Sequence, residues 1–201
     1  MPDLALRSHL RLLLRMLLLG LFGGLCVGAA AFGQSPQPPA TVLLMRHAEK
    51  LTDGQKDLSP AGFARAKAIP QLFGGAGAAA PHNLPRPDFL FATHASKRSN
   101  RPVETITPLG EALQLAVDST YADDDYASLA KLLLSGKYAG KVVLVAWHHG
   151  LLAEFAAALG VLPMPEKWPD TRFDRVWRID YRDGKAVLSD VPQELLPGDS
   201  K

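Results

Sequence analysis

The stretch TVLLMRHAE, residues 41–49, is an apolar run that stops at an arginine and a histidine. A continuous apolar run of this length is typical of a strand that is buried on both faces of a sheet. In open α/β sheets, ligands bind at the carboxyl ends of such strands. An imidazole beside a guanidinium at that point indicates a nucleophile that faces an anion. Arg46 and His47 are therefore the first candidate site residues.

Length and charge limit the classes of protein to consider. The 201 residues are enough for one domain with its own core. The formal net charge is +2, and residues 1–33 account for all of it through Arg7, Arg11, Arg15 and Asp3. The rest of the chain is neutral, which argues against sequence-independent binding to nucleic acid.

Residues 1–33 have the order of a secretory signal peptide, with basic residues first, then an apolar run, then small residues. We expect cleavage at the end of this segment and export, so that the protein is periplasmic or secreted. An uncleaved N-terminal anchor is the alternative, because the apolar run is near spanning length. Cys26, the only cysteine, lies in this segment, so the mature chain would hold no disulfide. Residues 34–39 read as a Pro-rich linker, and we place the folded domain at residues 40–195.

Strand and helix patterns alternate through this domain. Apolar runs predict strands at 41–45, 89–92 and 141–147, and helices are expected at 60–72, 102–113, 126–134 and 151–159. Asp183-Gly184, between strand patterns at 177–181 and 186–191, indicates a hairpin. This order predicts an α/β fold, a three-layer α/β/α sandwich with a mostly parallel central sheet and an edge hairpin.

Polar residues with related chemistry follow three of the predicted strands. The first strand ends in Arg46-His47, the second is followed by residues 93–101, and the strongest is followed by His148-His149. If these strands are parallel neighbours, their ends meet at one edge of the sheet. Imidazoles and guanidiniums gathered there would repel one another unless an anion neutralised them, and phosphate is the expected guest.

These residues resemble the motifs of a known family. The stretch LLMRHAEK, residues 43–50, is similar to the signature of the histidine phosphatase superfamily, which includes the phosphoglycerate mutases. Arg101 followed four residues later by Thr105 resembles the second motif, and VLVAWHHG, residues 143–150, resembles the strand that bears the second histidine. The similarity spans about residues 41–160. Ala48 stands where the signature usually has glycine, which suggests a slightly tighter turn.

The resemblance implies a reaction. His47 would attack phosphorus and form a phosphohistidine, while Arg46 and Arg101 clamp the phosphoryl oxygens. A second histidine would hydrogen-bond the same phosphoryl group, and water would hydrolyse the intermediate without any metal or cofactor. Either His148 or His149 could be this partner, and we favour His149.

Further polar residues are candidates for contacts with the substrate. Arg98 lies in the loop before the second motif, although a solvated loop cation is the alternative. Glu49 follows the nucleophile and could pair with Lys50 or an active-site arginine, or act as an acid. Many members of the family place their proton donor in the region where residues 123–125 are all aspartate, and Asp125 is taken as a candidate. Residues 166–173 could form one wall of the pocket.

The expected partners are a phosphorylated small molecule or a phosphoprotein. Mutase activity would need a closed site, and nothing in the sequence points to one. Two other classes of function are open. One is a metal site of His47, His94, His148 and His149, which the neighbouring arginines oppose. The other is an exported module of the same fold that binds phosphate or another anion without turnover.

Overall fold

The structure is a computed structural model, and it describes residues 36–52, 54–74 and 84–200. The expected signal peptide and the start of the linker lie outside these residues. None of the helices in the described part of the chain is long and apolar enough to cross a membrane.

Six strands form one mixed sheet. In chain order they are β1 (Thr41–Arg46), β2 (Phe89–Ala92), β3 (Val117–Asp118), β4 (Val142–Trp147), β5 (Arg175–Arg182) and β6 (Lys185–Pro192). Across the sheet the order is β3-β2-β4-β1-β5-β6. Strands β3, β2, β4 and β1 are parallel, and β5 and β6 form an antiparallel hairpin beside β1. The mostly parallel sheet with an edge hairpin is therefore confirmed.

Four α-helices cover the sheet: α1 (Pro60–Ala68), α2 (Arg101–Leu113), α3 (Tyr126–Leu133) and α4 (Leu152–Ala158). Helix α1 begins as expected, because the Ser59 hydroxyl accepts a hydrogen bond from the Gly62 N–H at 3.1 Å. It ends earlier than expected and continues as a 3₁₀ turn, Ile69–Phe73. Pro70 lacks the N–H that another α-helical turn would need.

The core has two halves, one on each face of the sheet. Successive side chains of β1 alternate between them, with Val42 and Leu44 in one half and Leu43 and Met45 in the other. Leu129, Leu133, Leu152 and Phe155 from α3 and α4 pack in the first half. Ile69, Leu72, Ile106 and Leu109, from the 3₁₀ turn and α2, pack in the second. The three layers follow from this alternation.

Packed residues lie beyond both expected ends of the folded domain. Pro39, assigned to the linker, is buried, and the Pro38 carbonyl accepts a hydrogen bond from the Gly140 N–H. At the other end the packed chain continues beyond residue 195, because Asp199 forms an ion pair with the buried Arg65. The two-residue strand β3 was not expected either, since a strand this short leaves no periodic pattern.

Candidate active site

The register between β1 and β4 brings two histidines together. Arg46 lies opposite Trp147 in the parallel pair, and the His47 N–H donates to the Trp147 carbonyl at 3.0 Å. The next residue on each strand is a histidine. The ring centroids of His47 and His148 are 5.3 Å apart, with the planes at 70°.

His47 is held as a neutral imidazole with a defined tautomer. It is 2% exposed, and its Nδ1 lies 2.7 Å from the Ala48 carbonyl oxygen. A carbonyl can only accept, so Nδ1 carries the proton and Nε2 keeps a free lone pair. Burial lowers the pKa of His47 to about 2, and Arg46, His148 and Arg101 act in the same direction against the Ala48 hydrogen bond. The arrangement leaves Nε2 able to act as a nucleophile at neutral pH.

Arg46 is buried, and only part of its guanidinium is engaged by the protein. Nη1 donates to the carbonyls of Pro169, Asp170 and Arg172 at 3.3, 2.5 and 3.1 Å. The guanidinium carbon lies 3.8 Å from the centre of the Phe173 ring. Nε and Nη2 are buried without a hydrogen-bond partner among the residues that the structure describes. Burial lowers the pKa of Arg46 to about 10, so the side chain stays charged at neutral pH. Two unused donors on a buried cation suit an anionic ligand.

Arg101 begins helix α2 and is joined to His47 through Thr105. Nε of Arg101 donates to the Ser99 hydroxyl at 3.1 Å, and burial lowers the pKa of Arg101. One turn later, the Thr105 hydroxyl donates to the Arg101 carbonyl at 2.7 Å and accepts from the Ala48 N–H at 2.9 Å. The four-residue spacing thus ties the second motif to the residue after His47. The sequence contained this spacing but gave no sign of the contact.

Of the two adjacent histidines, the geometry favours His148 over His149 as the neighbour of His47. His148 lies beside His47, and burial lowers the pKa of His148 to about 4, with Arg101, His149 and Arg46 adding to the effect. His149 begins a 3₁₀ turn, and its Nε2 lies 2.9 Å from Oδ1 of the exposed Asp170. Sequence alone leaves the choice between the two histidines open, because it does not fix the register of β4 against β1.

Glu49 forms its described side-chain hydrogen bonds with Arg65 on helix α1, and its charge also acts on Arg46, where it raises the pKa. Both of its carboxylate oxygens accept hydrogen bonds from Arg65, at 2.7 to 3.1 Å. Arg65 lies on helix α1 and is 4% exposed. In this structure the carboxylate of Glu49 is engaged in an ion pair with Arg65, and its expected contact with a substrate stays a prediction.

The other two proposed substrate contacts lie in exposed positions. Arg98 is exposed, and its described hydrogen bond is from its backbone N–H to the Ser96 hydroxyl at 3.2 Å. Asp125 is also exposed, and its Oδ2 accepts from the Ala122 N–H at 3.2 Å in a local turn. The contacts found are those of a loop and a helix start, and the expected contacts of Arg98 and Asp125 with a substrate stay predictions.

Asp123 differs from the two aspartates that follow it. It is half-buried, and its Oδ1 is buried with no hydrogen-bond partner in the described residues. Burial, with help from Asp124, raises the pKa of Asp123 to about 6. The Asp123 carbonyl accepts from Nε1 of Trp147, the residue before His148, at 3.1 Å. Asp123 therefore lies next to the end of β4 with a carboxyl group that holds a proton unusually well.

His94 forms its described hydrogen bonds with the segment that follows β3. It is exposed, its Nδ1 lies 3.1 Å from the Ser119 carbonyl, and its N–H donates to the Tyr121 carbonyl. Within residues 36–52, 54–74 and 84–200 there is no group of three or more His, Cys, Asp or Glu side chains that could hold a metal ion.

No family model matches the sequence, and no curated protein matches it. Solved structures do match. Phosphoserine phosphatase from Entamoeba histolytica in complex with 3-phosphoglyceric acid aligns with a TM-score of 0.53 and 16% identity, over 78% of this chain and 99% of that one. A mutant of the same enzyme with phosphoserine gives 0.52 and 15%, over 78% and 98%. Phosphoglycerate mutase from Bacillus anthracis gives 0.51 and 14%, over 78% and 94%.

These matched proteins are members of the histidine phosphatase superfamily. The likeness covers nearly the whole of each matched chain, so this chain has their fold. The fold implied by the sequence motifs is confirmed on that basis.

Proposed function

We propose that the protein is a metal-independent phosphatase that hydrolyses phosphate monoesters through a phosphohistidine on His47. One observation carries the proposal: Nε2 of the neutral His47 has a free lone pair in a site where Arg46 keeps two buried donors that have no partner in the described part of the chain. A nucleophile beside unused cationic donors suits a phosphoryl group better than any neutral ligand. The shared fold with a phosphoserine phosphatase adds support.

The first half of the reaction transfers the phosphoryl group. Nε and Nη2 of Arg46 and the guanidinium of Arg101 bind the non-bridging oxygens, where the transition-state charge lies. Nε2 of His47 forms the new P–N bond in line with the breaking P–O bond. His148, neutral and adjacent, donates a hydrogen bond to the same phosphoryl group.

The leaving oxygen needs a proton, and we assign this role to Asp123. Its pKa, raised to about 6 by burial, keeps a proton on the carboxyl group in mildly acidic solution. In the second half, water attacks phosphorus, the P–N bond breaks, and the ionised Asp123 accepts the proton from that water. Inorganic phosphate leaves, and His47 and Asp123 return to their starting forms.

The test is hydrolysis of p-nitrophenyl phosphate in EDTA by the wild type, by His47→Gln and by the exposed control His94→Gln. We expect activity in the wild type and in the control and a loss of at least about 10³-fold in His47→Gln. Acid-labile, base-stable phosphate on the wild type would identify the intermediate. Unchanged activity in His47→Gln would overturn the mechanism, and loss of activity with EDTA would favour a metal. Phosphate binding without turnover of any ester would favour the anion-binding module.

The substrate class and the location belong to the same proposal. We propose a phosphorylated small molecule or a phosphoprotein as substrate, encountered outside the cytoplasm after removal of residues 1–33. Cell fractionation with mass measurement of the mature chain tests export. Recovery of the full-length chain from the cytoplasm would contradict it.

A further inference from the structure

Arg65 is a buried arginine whose guanidinium is shared by three parts of the chain. Nε and Nη2 donate to Glu49, and Nη1 and Nη2 donate to Asp199 at 2.9 and 2.7 Å. Nη1 also donates to Oε1 of Gln193 at 3.1 Å. Burial alone would lower the pKa of Arg65, but the hydrogen bonds to Asp199 and Glu49 raise it above the usual value. All three nitrogens of the guanidinium are therefore engaged.

One end of this network reaches the loop that carries the nucleophile. Glu49 is two residues beyond His47 and one beyond Ala48, whose carbonyl fixes the His47 tautomer. The Glu49 carbonyl accepts the Ser59 N–H at 2.9 Å. A Cβ added to Gly62 on helix α1 would lie 2.2 Å from the same oxygen. The loop is thus pressed against α1 and held there through both its backbone and its carboxylate.

The other end is the C-terminal tail, residues 193–200. Asp199 Oδ2 accepts the N–H groups of Leu195 and Leu196 at 2.8 and 3.0 Å, so the tail folds around this carboxylate. Nε2 of Gln193 donates to the Phe173 carbonyl at 3.3 Å. The Phe173 ring lies 6.1 Å from that of His47. Two chains of contacts therefore link the tail to His47. One runs through Arg65 and Glu49, and the other runs through Phe173.

We propose that Arg65 and Asp199 are positioning residues for His47, so that the C-terminal tail completes the active site. A buried arginine that loses one carboxylate must recover hydrogen bonds from water or from new partners. When Arg65 rearranges in this way, the position of Glu49 is less well fixed, and so is that of the neighbouring Ala48 carbonyl. His47 would then sample the tautomer with Nε2 protonated, which cannot attack phosphorus. In the described residues, the guanidiniums of Arg46 and Arg101 form their hydrogen bonds with residues 169–172 and with Ser99, and not with Arg65 or its two carboxylates. The stacking of Arg46 on the Phe173 ring needs neither carboxylate. We therefore expect phosphate binding to be retained.

The inference rests on the proposed phosphatase activity, and its test includes a measurement that does not need turnover. The variants are Asp199→Asn and Glu49→Gln, each of which removes one carboxylate while keeping the size of the side chain. Asp190→Asn is the matched control, because Asp190 accepts from Nε of Arg175 at 2.8 Å in an exposed ion pair on β6. The measurements are kcat and KM on p-nitrophenyl phosphate, inhibition by inorganic phosphate, and ¹⁵N spectra of the His47 imidazole.

We expect kcat to fall about 10- to 100-fold in both variants, the size expected for small misplacement of a reacting group. KM and the inhibition constant of phosphate should stay within about twofold, and the spectra should change from one tautomer to a mixture. The Asp190→Asn control should match the wild type. Asp199→Glu should restore part of kcat, because it returns a carboxylate to Arg65.

Normal kcat and an unchanged His47 tautomer in both variants would overturn the inference. So would a loss of phosphate affinity as large as the loss of kcat, since that indicates general damage to the site. If Asp199→Asn does not fold, Glu49→Gln decides, because it leaves the Arg65–Asp199 pair in place. An inactive wild type whose His47 tautomer still depends on Asp199 would refute the phosphatase proposal while supporting the positioning role.

Discussion

At the scale of single residues, burial shifts two titratable groups near the candidate site in opposite directions. It lowers the pKa of His47 to about 2 and raises that of Asp123 to about 6. Between these values His47 is neutral and Asp123 is protonated, which are the forms required of a nucleophile and an acid. Burial alone therefore favours, in both groups, the protonation state that the proposed mechanism requires.

The variant Asp123→Asn tests whether Asp123 donates the proton to the leaving group. On an alkyl phosphate, whose leaving group needs a proton, we expect kcat of the wild type to fall as pH rises through about 6. The variant should lose about 10²- to 10⁴-fold in kcat and lose this dependence on pH. On p-nitrophenyl phosphate, a better leaving group, the loss should be much smaller. Asp125→Asn, a change at an exposed neighbour, is the control. A variant that keeps the wild-type pH profile on the alkyl phosphate would exclude Asp123 as the donor.

Thr105 links the two motifs through one hydroxyl group. Thr105→Val keeps the shape of the side chain but leaves the buried Ala48 N–H without an acceptor, and we expect a loss of about 1–3 kcal/mol in the free energy of unfolding. We also expect a lower kcat, because Ala48 holds His47. The measurements are denaturant unfolding and steady-state kinetics.

Thr107→Val is the matched control. The Thr107 hydroxyl makes the same hydrogen bond within α2, to the Val103 carbonyl at 2.8 Å, but does not bind Ala48. A loss of equal size in both variants would show that the contact with Ala48 contributes nothing.

At the scale of elements, the sequence was sufficient to predict the three layers and the edge of the sheet at which the candidate site lies. Apolar runs and their polar ends predicted the parallel strands, the hairpin and the meeting of Arg46, His47 and Arg101. The choice between His148 and His149 depended on the register of β4 against β1, which a shift of one residue would have reversed. The partner of Glu49 could not be predicted either, because Arg65 lies 16 residues further along the chain. Arg65 is also held by a second carboxylate, that of Asp199, which is 134 residues from Arg65 in sequence.

Helix α1 and the loop after β1 approach so closely that only glycine fits between them. Gly62→Ala would place a Cβ 2.2 Å from the Glu49 carbonyl oxygen, a backbone atom that cannot move aside freely. We expect the variant to lose stability by about 1–3 kcal/mol from overpacking and to have a reduced kcat. Thermal unfolding and kinetics measure the two effects.

Gly150→Ala provides the comparison, because it makes the same change beside His149 where a Cβ would meet nothing within 4 Å. We expect little effect on either measurement. If Gly62→Ala also behaves like the wild type, the loop can withdraw from α1 without consequence, and the close approach does not support the site.

At the scale of the whole molecule, the site exists only in the folded chain. Arg46, Arg101 and His148 are distant in sequence, and strand order and register alone bring them to one edge of the sheet. A ligand that needs all of them binds the native state and not the unfolded chain. It therefore stabilises the fold by mass action.

Inorganic phosphate should raise the thermal midpoint of the wild type with the logarithm of its concentration above the dissociation constant, by the equivalent of about 2.7 kcal/mol at 100 times that constant. In Arg101→Gln the shift should be largely lost. Sodium chloride at equal ionic strength controls for the screening of charges. The variant controls for the general stabilising effect of phosphate as a solute, which does not depend on Arg101. Equal shifts in the two proteins would argue against a phosphate site at Arg101.

Ala48 has a consequence for how such chains are recognised. Its φ is not positive, so the turn after His47 does not require glycine. Its N–H donates to Thr105 and its carbonyl accepts from His47, and any residue except proline can supply both groups. Its side chain, 0% exposed, is limited only by space. The physical limit at this position is therefore side-chain volume, and a motif that requires glycine after Arg-His would miss proteins with the same site.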